Sequence, residues 1–434
     1  MDIEIMPGPL SGVVRAIPSK SQAHRALICA ALADKPTSIG CEGTSNDIEA
    51  TAACLTALGA DIKSIPDGYI VKPCGPGYKT NISEDESEQN RQKPVLRCGE
   101  SGSTFRFLLP VAGALGKDVS FVLEGRLSER PLSPLYEELI RHGCFLSPHG
   151  SNPFNIEGQL NPGSYTIDAG ISSQFISGLL FALPLLGSDS EIRMTGSIES
   201  FPYIELTLVM LEKFGIRVEL KDMTFSVPGN QKYRSPGTIG IEGDWSNAAF
   251  WLAAGTLGGS GITCTNLDLL SRQGDRAILD VLKEFGASVK QSSSSVTVSG
   301  GKLCGIKIDA RDIPDLVPIL SVVAAAAEGV TEIRNAGRLR GKESDRLAAM
   351  SAVLGGLGAD IKETDDGLFI TGGKVLTGGT VSSRGDHRIA MSAAVAAVLC
   401  TNPVIISGAE AVNKSYPGFF DERRKLCHHN MEKN

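Results

Sequence analysis

Apolar runs with a helical period recur along the chain, and each opens on polar residues that can end a strand or cap a helix. Ala26-Leu27-Ile28-Cys29-Ala30-Ala31-Leu32 follows Pro18-Ser19-Lys20-Ser21-Gln22-Ala23-His24-Arg25, and its Ala/Leu content predicts a buried helix. Further runs of this kind open at Ser101-Gly102-Ser103-Thr104, Ser172-Ser173-Gln174, Asp244-Trp245-Ser246-Asn247, Asp315-Leu316 and Asp386-His387-Arg388. From Lys20 through Ser101, Ser172, Asp244, Asp315 and Asp386 the intervals are 81, 71, 72, 71 and 71 residues. Spacing that regular marks an internal repeat of six units.

A second signature lies between these starts: a helix ending at glycine, then a short strand. It stands as Leu58-Gly59-Ala60-Asp61-Ile62, Phe214-Gly215-Ile216-Arg217-Val218, Phe285-Gly286-Ala287-Ser288-Val289 and Leu357-Gly358-Ala359-Asp360-Ile361, with a weaker copy at His142-Gly143-Cys144. Glycine supplies the left-handed conformation that halts a helix, so each unit reads strand, helix, strand, helix, strands. The unit is longer than the roughly 20–50 residues of solenoid repeats. We therefore expect α/β units closing around themselves with the apolar helices inside, not a stacked array.

Three units fall in 19–238, and a turn-rich break at Ser235-Pro236-Gly237-Thr238 precedes the last three. The predicted domains are 19–238 and 1–18 plus 239–434, the first short strand joining the C-terminal half by symmetry. The polar, acidic stretch 81–91 reads as a mobile loop that lengthens the first interval.

Composition narrows the class. At 434 residues the chain is too long for one ordinary core, and 42% hydrophobic with 21% charged residues fits a globular protein. No apolar run reaches the roughly 18–20 residues of a membrane span, and Met1-Asp2-Ile3-Glu4 lacks the basic flank of a signal peptide; a cytoplasmic location is expected. The ten cysteines have no Cys-x-x-Cys spacing, which argues for core thiols and against a disulfide frame or zinc site. A net charge of -7 argues against general nucleic-acid binding, so an anion site has to be a local concentration of cations.

Such concentrations occur at the helix starts. Six parallel buried helices would bring their N-termini out on one side, with orphan N–H groups adding partial positive charge. At the first start, Ser21 and Arg25 are four apart and share a helix face. Arg126-Leu127-Ser128-Glu129-Arg130-Pro131 sets two arginines at a corner; Arg126 suits a forked grip on a carboxylate or phosphate, and Arg130 suits pairing with Glu124 or Glu129. Lys342-Glu343-Ser344-Asp345-Arg346 precedes the apolar run from Leu347, with Lys342 and Arg346 expected on one helix face and Glu343 beside them. A carboxylate flanked by cations is how a general acid/base is held in an anion site. Asp315 reads as a helix cap and, if the starts converge, as a carboxylate able to accept a proton. Lys414 stands alone in a loop.

Taken in order, Pro18 to Arg25, Gly99-Glu100-Ser101-Gly102-Ser103-Thr104-Phe105-Arg106, Gly125 to Pro131, Ser172-Ser173-Gln174, Ile313-Pro314-Asp315, Lys342 to Arg346, Asp386-His387-Arg388 and Lys414 resemble the marks of the 5-enolpyruvylshikimate-3-phosphate synthase family over essentially the whole length. The fold this resemblance implies is α/β: two similar inside-out α/β barrel domains, each of three βαβαββ-type repeats, joined by a two-strand hinge. The activity it implies is transfer of the enolpyruvyl group of phosphoenolpyruvate to the 5-hydroxyl of shikimate 3-phosphate, releasing phosphate, with no metal or organic cofactor. It implies shikimate 3-phosphate contacts from Lys20, Ser21, Arg25, Ser172, Ser173, Gln174, Ser200, Tyr203, Asp315 and Lys342. Phosphoenolpyruvate would be taken by Lys20, Gly102, Arg126, Gln174, Arg346, Arg388 and Lys414. Asp315, Glu343 and Lys20 are the expected catalytic residues, and the partners are the two small substrates, with no nucleic acid, membrane or second chain.

His24 and Glu100 stand where this family often has asparagine, and Ser19 stands in place of a Gly-Ser pair. Glu100 would repel phosphoenolpyruvate unless turned away or paired with Arg97. Gly102 leaves room that alanine would fill, which implies competitive inhibition by glyphosate. The nearest rival, the enolpyruvyl transferase acting on UDP-N-acetylglucosamine, normally carries a reactive cysteine in the loop matching Gly125 to Pro131, and this loop has none. A non-catalytic repeat protein that binds anions has no need of lone acids such as Asp315 and Glu343 among its cations.

Overall fold

The computed structural model describes residues 1–74, 93–258 and 260–428; the acidic stretch 81–91 lies outside them. Among the described residues are twelve α-helices: α1 Lys20–Ala31, α2 Asn46–Ala57, α3 Gly102–Ala114, α4 Leu135–Arg141, α5 Ser173–Ala182, α6 Phe201–Lys213, α7 Trp245–Gly258, α8 Ile278–Phe285, α9 Val317–Ala326, α10 Arg346–Gly356, α11 His387–Ala396 and α12 Phe419–His428. The odd-numbered helices open at the six repeat markers and are buried along nearly their whole length. The even-numbered ones bury one face, as amphipathic helices do. No described helix is long and apolar enough to cross a membrane.

The first five repeats run strand, helix, strand, helix, hairpin. In the second, Val95–Gly99 and Val119–Leu123 flank α3 and pair in parallel; α4 follows, and the hairpin Cys144–Leu146 with Phe154–Gly158 adds antiparallel to Val119–Leu123. Gly59, Gly143, Gly215, Gly286 and Gly358, the five glycines read as helix stops, have φ of 111°, 100°, 75°, 108° and 98°. The same four-strand order recurs in five sheets, and among the described residues no sheet closes on itself.

The chain divides into two compact units, Lys20–Ile241 and Met1–Ser19 with Glu242–Asn434. They exchange one strand position. Thr238–Gly240, which precedes the fourth repeat in sequence, pairs in parallel with Thr37–Gly40 of the first, whereas Gly12–Arg15 pairs in parallel with Ile262–Thr265 of the fourth. Among the described residues the sixth repeat has no hairpin of its own; Asp2–Ile5 lies antiparallel on Val404–Ser407 where that hairpin would be.

Each unit has its own core. In 20–241 it centres on α1, α3 and α5, with Leu27, Phe107, Leu179 and Phe181 almost wholly buried. α5 approaches α3 closely because Gly178 lacks a side chain; a Cβ there would lie 2.9 Å from Pro110 Cγ. In the other unit α7, α9 and α11 bring Trp251, Val322 and Met391 together. Apolar helices inside and sheets with alternating burial around them give the inside-out arrangement.

Candidate active site

In the 20–241 unit the starts of α1, α3 and α5 carry the candidate residues. Arg25 is buried, with Nε donating to Thr207 Oγ1 at 2.8 Å, Nη1 to the Ser21 carbonyl at 2.6 Å and Nη2 to the Tyr203 carbonyl at 2.7 Å. Its carbon Cζ lies 5.0 Å from the Phe107 ring centroid. Among the described residues no carboxylate pairs with it, and burial pushes its guanidinium down to about 10. A buried cation held only by neutral groups is prepared for an external anion.

Lys20 Nζ lies 2.8 Å from Asp47 Oδ2 in the first turn of α2. Ser172 caps α5, accepting from Gln174 N–H at 3.3 Å, and Ser173 is buried beside it. Gln174 ties two helix starts together: Oε1 accepts from Arg106 Nη1 at 2.9 Å, and Nε2 donates to Ser103 Oγ at 2.9 Å. Ser200 is buried in the left-handed region at φ 57°, immediately before α6, and Tyr203 follows in its first turn. Gly102 begins α3, where a Cβ would lie 2.9 Å from Arg130 Nη1 and 3.2 Å from Arg106 Nη1. Arg126 is exposed, and it pairs with Glu129 at a loose 3.9 Å. Glu100 packs over the Gly125 backbone, where a side chain would not fit.

Beneath these residues lies a polar relay absent from the sequence reading. His24 Nδ1 is 2.6 Å from Thr51 Oγ1, which is 2.6 Å from Thr104 Oγ1, which donates to Ser101 Oγ at 2.7 Å. Burial pushes the imidazole down to about 3, with Lys20 and Arg25 adding to the effect and Asp47 opposing it.

In the other unit the centre is Arg346, the first residue of α10. Its Nε donates to Asp386 Oδ2 at 2.8 Å, Nη1 to Asp315 Oδ1 at 2.9 Å and Nη2 to Glu343 Oε2 at 2.9 Å. Burial would lower its proton affinity, but Asp386, Glu343 and Asp315 hold it well above the ordinary range. Arg388, in the first turn of α11, donates from Nη2 to Asp315 Oδ2 at 2.7 Å and to Ser246 Oγ at 2.6 Å. Buried Lys414 lies 3.7 Å from Glu343 Oε1. Burial alone would raise Asp315, yet Arg388, Arg346 and Lys342 together hold it far below the usual carboxylate range.

Two local readings need correction. Asp315 is not the residue that caps α9: it sits inside the short turn Pro314–Leu316, and Leu316 takes the cap position. Lys342 shares no helix face with Arg346, because Asp345 caps α10 by accepting from Ala348 N–H at 3.1 Å and the helix begins only at Arg346. Glu343 reaches Arg346 from the bend before the helix.

The sequence reading also missed Asp47, Ser246 and Asp275, which contact the candidate residues. Asp47 carried a signal as an acid in the first turn of α2; Asp275 gave none beyond a Gln-Gly-Asp turn.

The fold and these two clusters define an α/β protein of six repeats whose helix starts carry cations and carboxylates suited to small anionic substrates. Residues 5–422 match the model of one family, EPSP synthase (3-phosphoshikimate 1-carboxyvinyltransferase), and the chain belongs to that family. It is 43% identical to the 3-phosphoshikimate 1-carboxyvinyltransferase of Clostridium kluyveri over 98% of this chain and 97% of that one. With the protein of that name from Clostridium perfringens strain SM101 it shares 45% over 97% of each. Among solved structures, EPSP synthase from Acinetobacter baumannii superposes with a TM-score of 0.79 at 25% identity, covering 98% of both chains. The enolpyruvyl transferase NikO from Streptomyces tendae shares the fold, with a TM-score of 0.75 at 18% identity over 98% of this chain and 96% of that one.

Proposed function

We propose that the protein transfers the enolpyruvyl group of phosphoenolpyruvate to the 5-hydroxyl of shikimate 3-phosphate and releases phosphate. Family membership supports this reading, and the observation that carries it is the pair Asp315 and Glu343, two carboxylates wedged among Arg346, Arg388 and Lys414. A site that only bound anions would gain nothing from acids in that position.

Each substrate carries a carboxylate and a phosphate of charge roughly -1.5 to -2, which accounts for the number of cations. In this reading Arg25, Ser21, Ser172, Ser173, Gln174, Ser200, Tyr203 and Lys342 hold shikimate 3-phosphate. Gly102, Arg126, Arg346, Arg388 and Lys414 receive phosphoenolpyruvate, and Lys20 and Gln174 serve both. Asp315 is a poor base while two arginines grip it. When an incoming anion draws Arg346 and Arg388 toward itself, Asp315 loses their stabilisation and its basicity rises.

The hydroxyl proton then passes to Asp315 as its oxygen attacks C2, while Glu343, which must enter this step in its carboxylic-acid form, protonates C3 and is left as the carboxylate. In the tetrahedral intermediate Glu343 takes the C3 proton back, the C2–O bond to phosphate breaks, and Lys20 supplies positive charge and a proton to the leaving phosphate. The enolpyruvyl ether and phosphate are the products. The rival acceptor, UDP-N-acetylglucosamine, is disfavoured by the absence of cysteine from the loop of Gly125 to Pro131.

The test is phosphate release from phosphoenolpyruvate by purified protein, with shikimate 3-phosphate or UDP-N-acetylglucosamine as acceptor. Release with the first alone is expected; release with the second alone moves the assignment to the rival, and release with neither from folded protein defeats both. Asp315→Ala and Glu343→Gln should each lose activity by about 100-fold or more, and near-full turnover by either would remove its role. The reading further has the protein act as a cytoplasmic monomer on diffusible substrates, which sedimentation of the active enzyme and cell fractionation test.

A further inference from the structure

Asp275 lies in the turn Gly274–Ala277 that leads into α8, with 3% of its surface exposed. Its carboxylate is hydrogen-bonded to the Ser246 side chain, in the first turn of α7. The direction of that bond follows from Arg388. Ser246 Oγ accepts from Arg388 Nη2 at 2.6 Å, and a guanidinium can only donate, so the serine's own proton is directed at Asp275. The same Nη2 reaches Asp315 Oδ2 at 2.7 Å. One nitrogen of Arg388 is therefore held by two acids, Asp315 directly and Asp275 through a hydroxyl.

The charged groups that act on Asp275 include Asp244 at the start of α7, Asp315 in the turn before α9 and Arg388 on α11. Burial and the Asp315 charge push the Asp275 carboxyl up to about 7, with Asp244 adding and Arg388 and Ser246 opposing.

We propose that Asp275 is a positioning residue which, acting through Ser246, sets how firmly Arg388 is held back from incoming phosphoenolpyruvate. The proposal rests on Arg388 being a phosphoenolpyruvate residue. With its proton on, Asp275 is a weak acceptor and Arg388 turns readily to the substrate. With the proton off, the added charge holds the Ser246 and Arg388 chain in place and opposes a second anion.

The experiment is steady-state kinetics with saturating shikimate 3-phosphate, measuring KM for phosphoenolpyruvate and kcat at pH 6.0 and 8.5 in the wild type, Asp275→Asn and Ser246→Ala. Asparagine keeps shape and an acceptor for Ser246 but cannot ionise, and titration of the substrate's own phosphate is common to all three proteins. The wild-type ratio of KM at the two pH values should exceed that of Asp275→Asn by about fivefold, with the effect on KM larger than that on kcat. Ser246→Ala should flatten the ratio likewise, and it decides the matter if Asp275→Asn does not fold. Variants that turn over with the wild-type pH dependence of KM overturn the Asp275 assignment alone. A folded wild type that releases no phosphate overturns the activity and this proposal together.

Discussion

Arg346 shows how one side chain can make a cluster of acids tolerable. Three carboxylates share its guanidinium, and each is buried or nearly so, at 21% exposure for Asp315, 14% for Glu343 and 0% for Asp386. Removing the charge leaves them facing one another, so Arg346→Met should destabilise the protein by about 3–5 kcal/mol, measured as a shift in urea midpoint. Arg346→Lys should recover little of this, because an ammonium on a flexible stem cannot reproduce a fork aimed at three partners.

Two buried groups give the pH dependence the same sign, stability falling on acidification, but in different windows. Asp315 has a folded-state proton affinity below the ordinary carboxylate value of about 3.9, so its contribution is present above that value and is lost only as pH falls through the lower folded one. His24 acts earlier. Between pH about 3 and 6.5 the unfolded chain binds a proton that the buried imidazole refuses, so stability falls on acidification from 6.5 by up to about 1.4 kcal/mol per pH unit. His24→Asn should remove that slope between pH 6.5 and 4, visible as a flatter plot of urea midpoint against pH.

The helix start is the element on which this molecule is built, and adjacent positions in it do different work. Ser101 caps α3, accepting from Thr104 N–H at 3.3 Å while ending the relay from His24; Ser101→Ala should cost about 1 kcal/mol in thermal or urea unfolding. Gly102, one residue on, should matter for ligands instead. A methyl group there pushes on the ends of Arg130 and Arg106, so Gly102→Ala should raise KM for phosphoenolpyruvate roughly tenfold and weaken any inhibition by glyphosate, with little change in stability.

These starts were legible because a capped apolar run is a local pattern and six copies at one period reinforce each other. The signals that failed were short or non-local. Counting the helix from Lys342 ignored Asp345, whose side chain caps the helix and makes it begin one turn later. Asp275 was invisible because its importance comes from Ser246 and Arg388, 29 and 113 positions away. Symmetry placed Gly12–Arg15 with the C-terminal half, but its own pattern did not, and the boundary at 238 cut through Thr238–Gly240, since strands of four and three residues carry too little alternation to choose a partner.

For the whole molecule, both tryptophans, Trp245 and Trp251, are buried in the unit that contains the chain's N-terminal strands. Their fluorescence reports on that unit's core. Asp2–Ile5 covers one side of Val404–Ser407, and the Met1 carbonyl accepts from Ala409 N–H at 2.9 Å. Deleting residues 1–6 should therefore lower the fluorescence-detected urea midpoint, by about 2–3 kcal/mol for four ladder residues and their packing. An unchanged midpoint would mean that the sixth repeat is complete without them.

That N-terminal strand also sets an order of events on the ribosome. The segment 20–241 holds a complete set of strands and can finish its core while translation continues. Asp2–Ile5 emerges first and waits for Val404–Ser407, roughly 20–80 s at usual elongation rates. During that interval it is an unpaired edge open to other nascent chains. Its sequence meets the hazard directly: Asp2 and Glu4 alternate with Ile3 and Ile5, and two like charges in four residues keep such a strand from stacking on copies of itself.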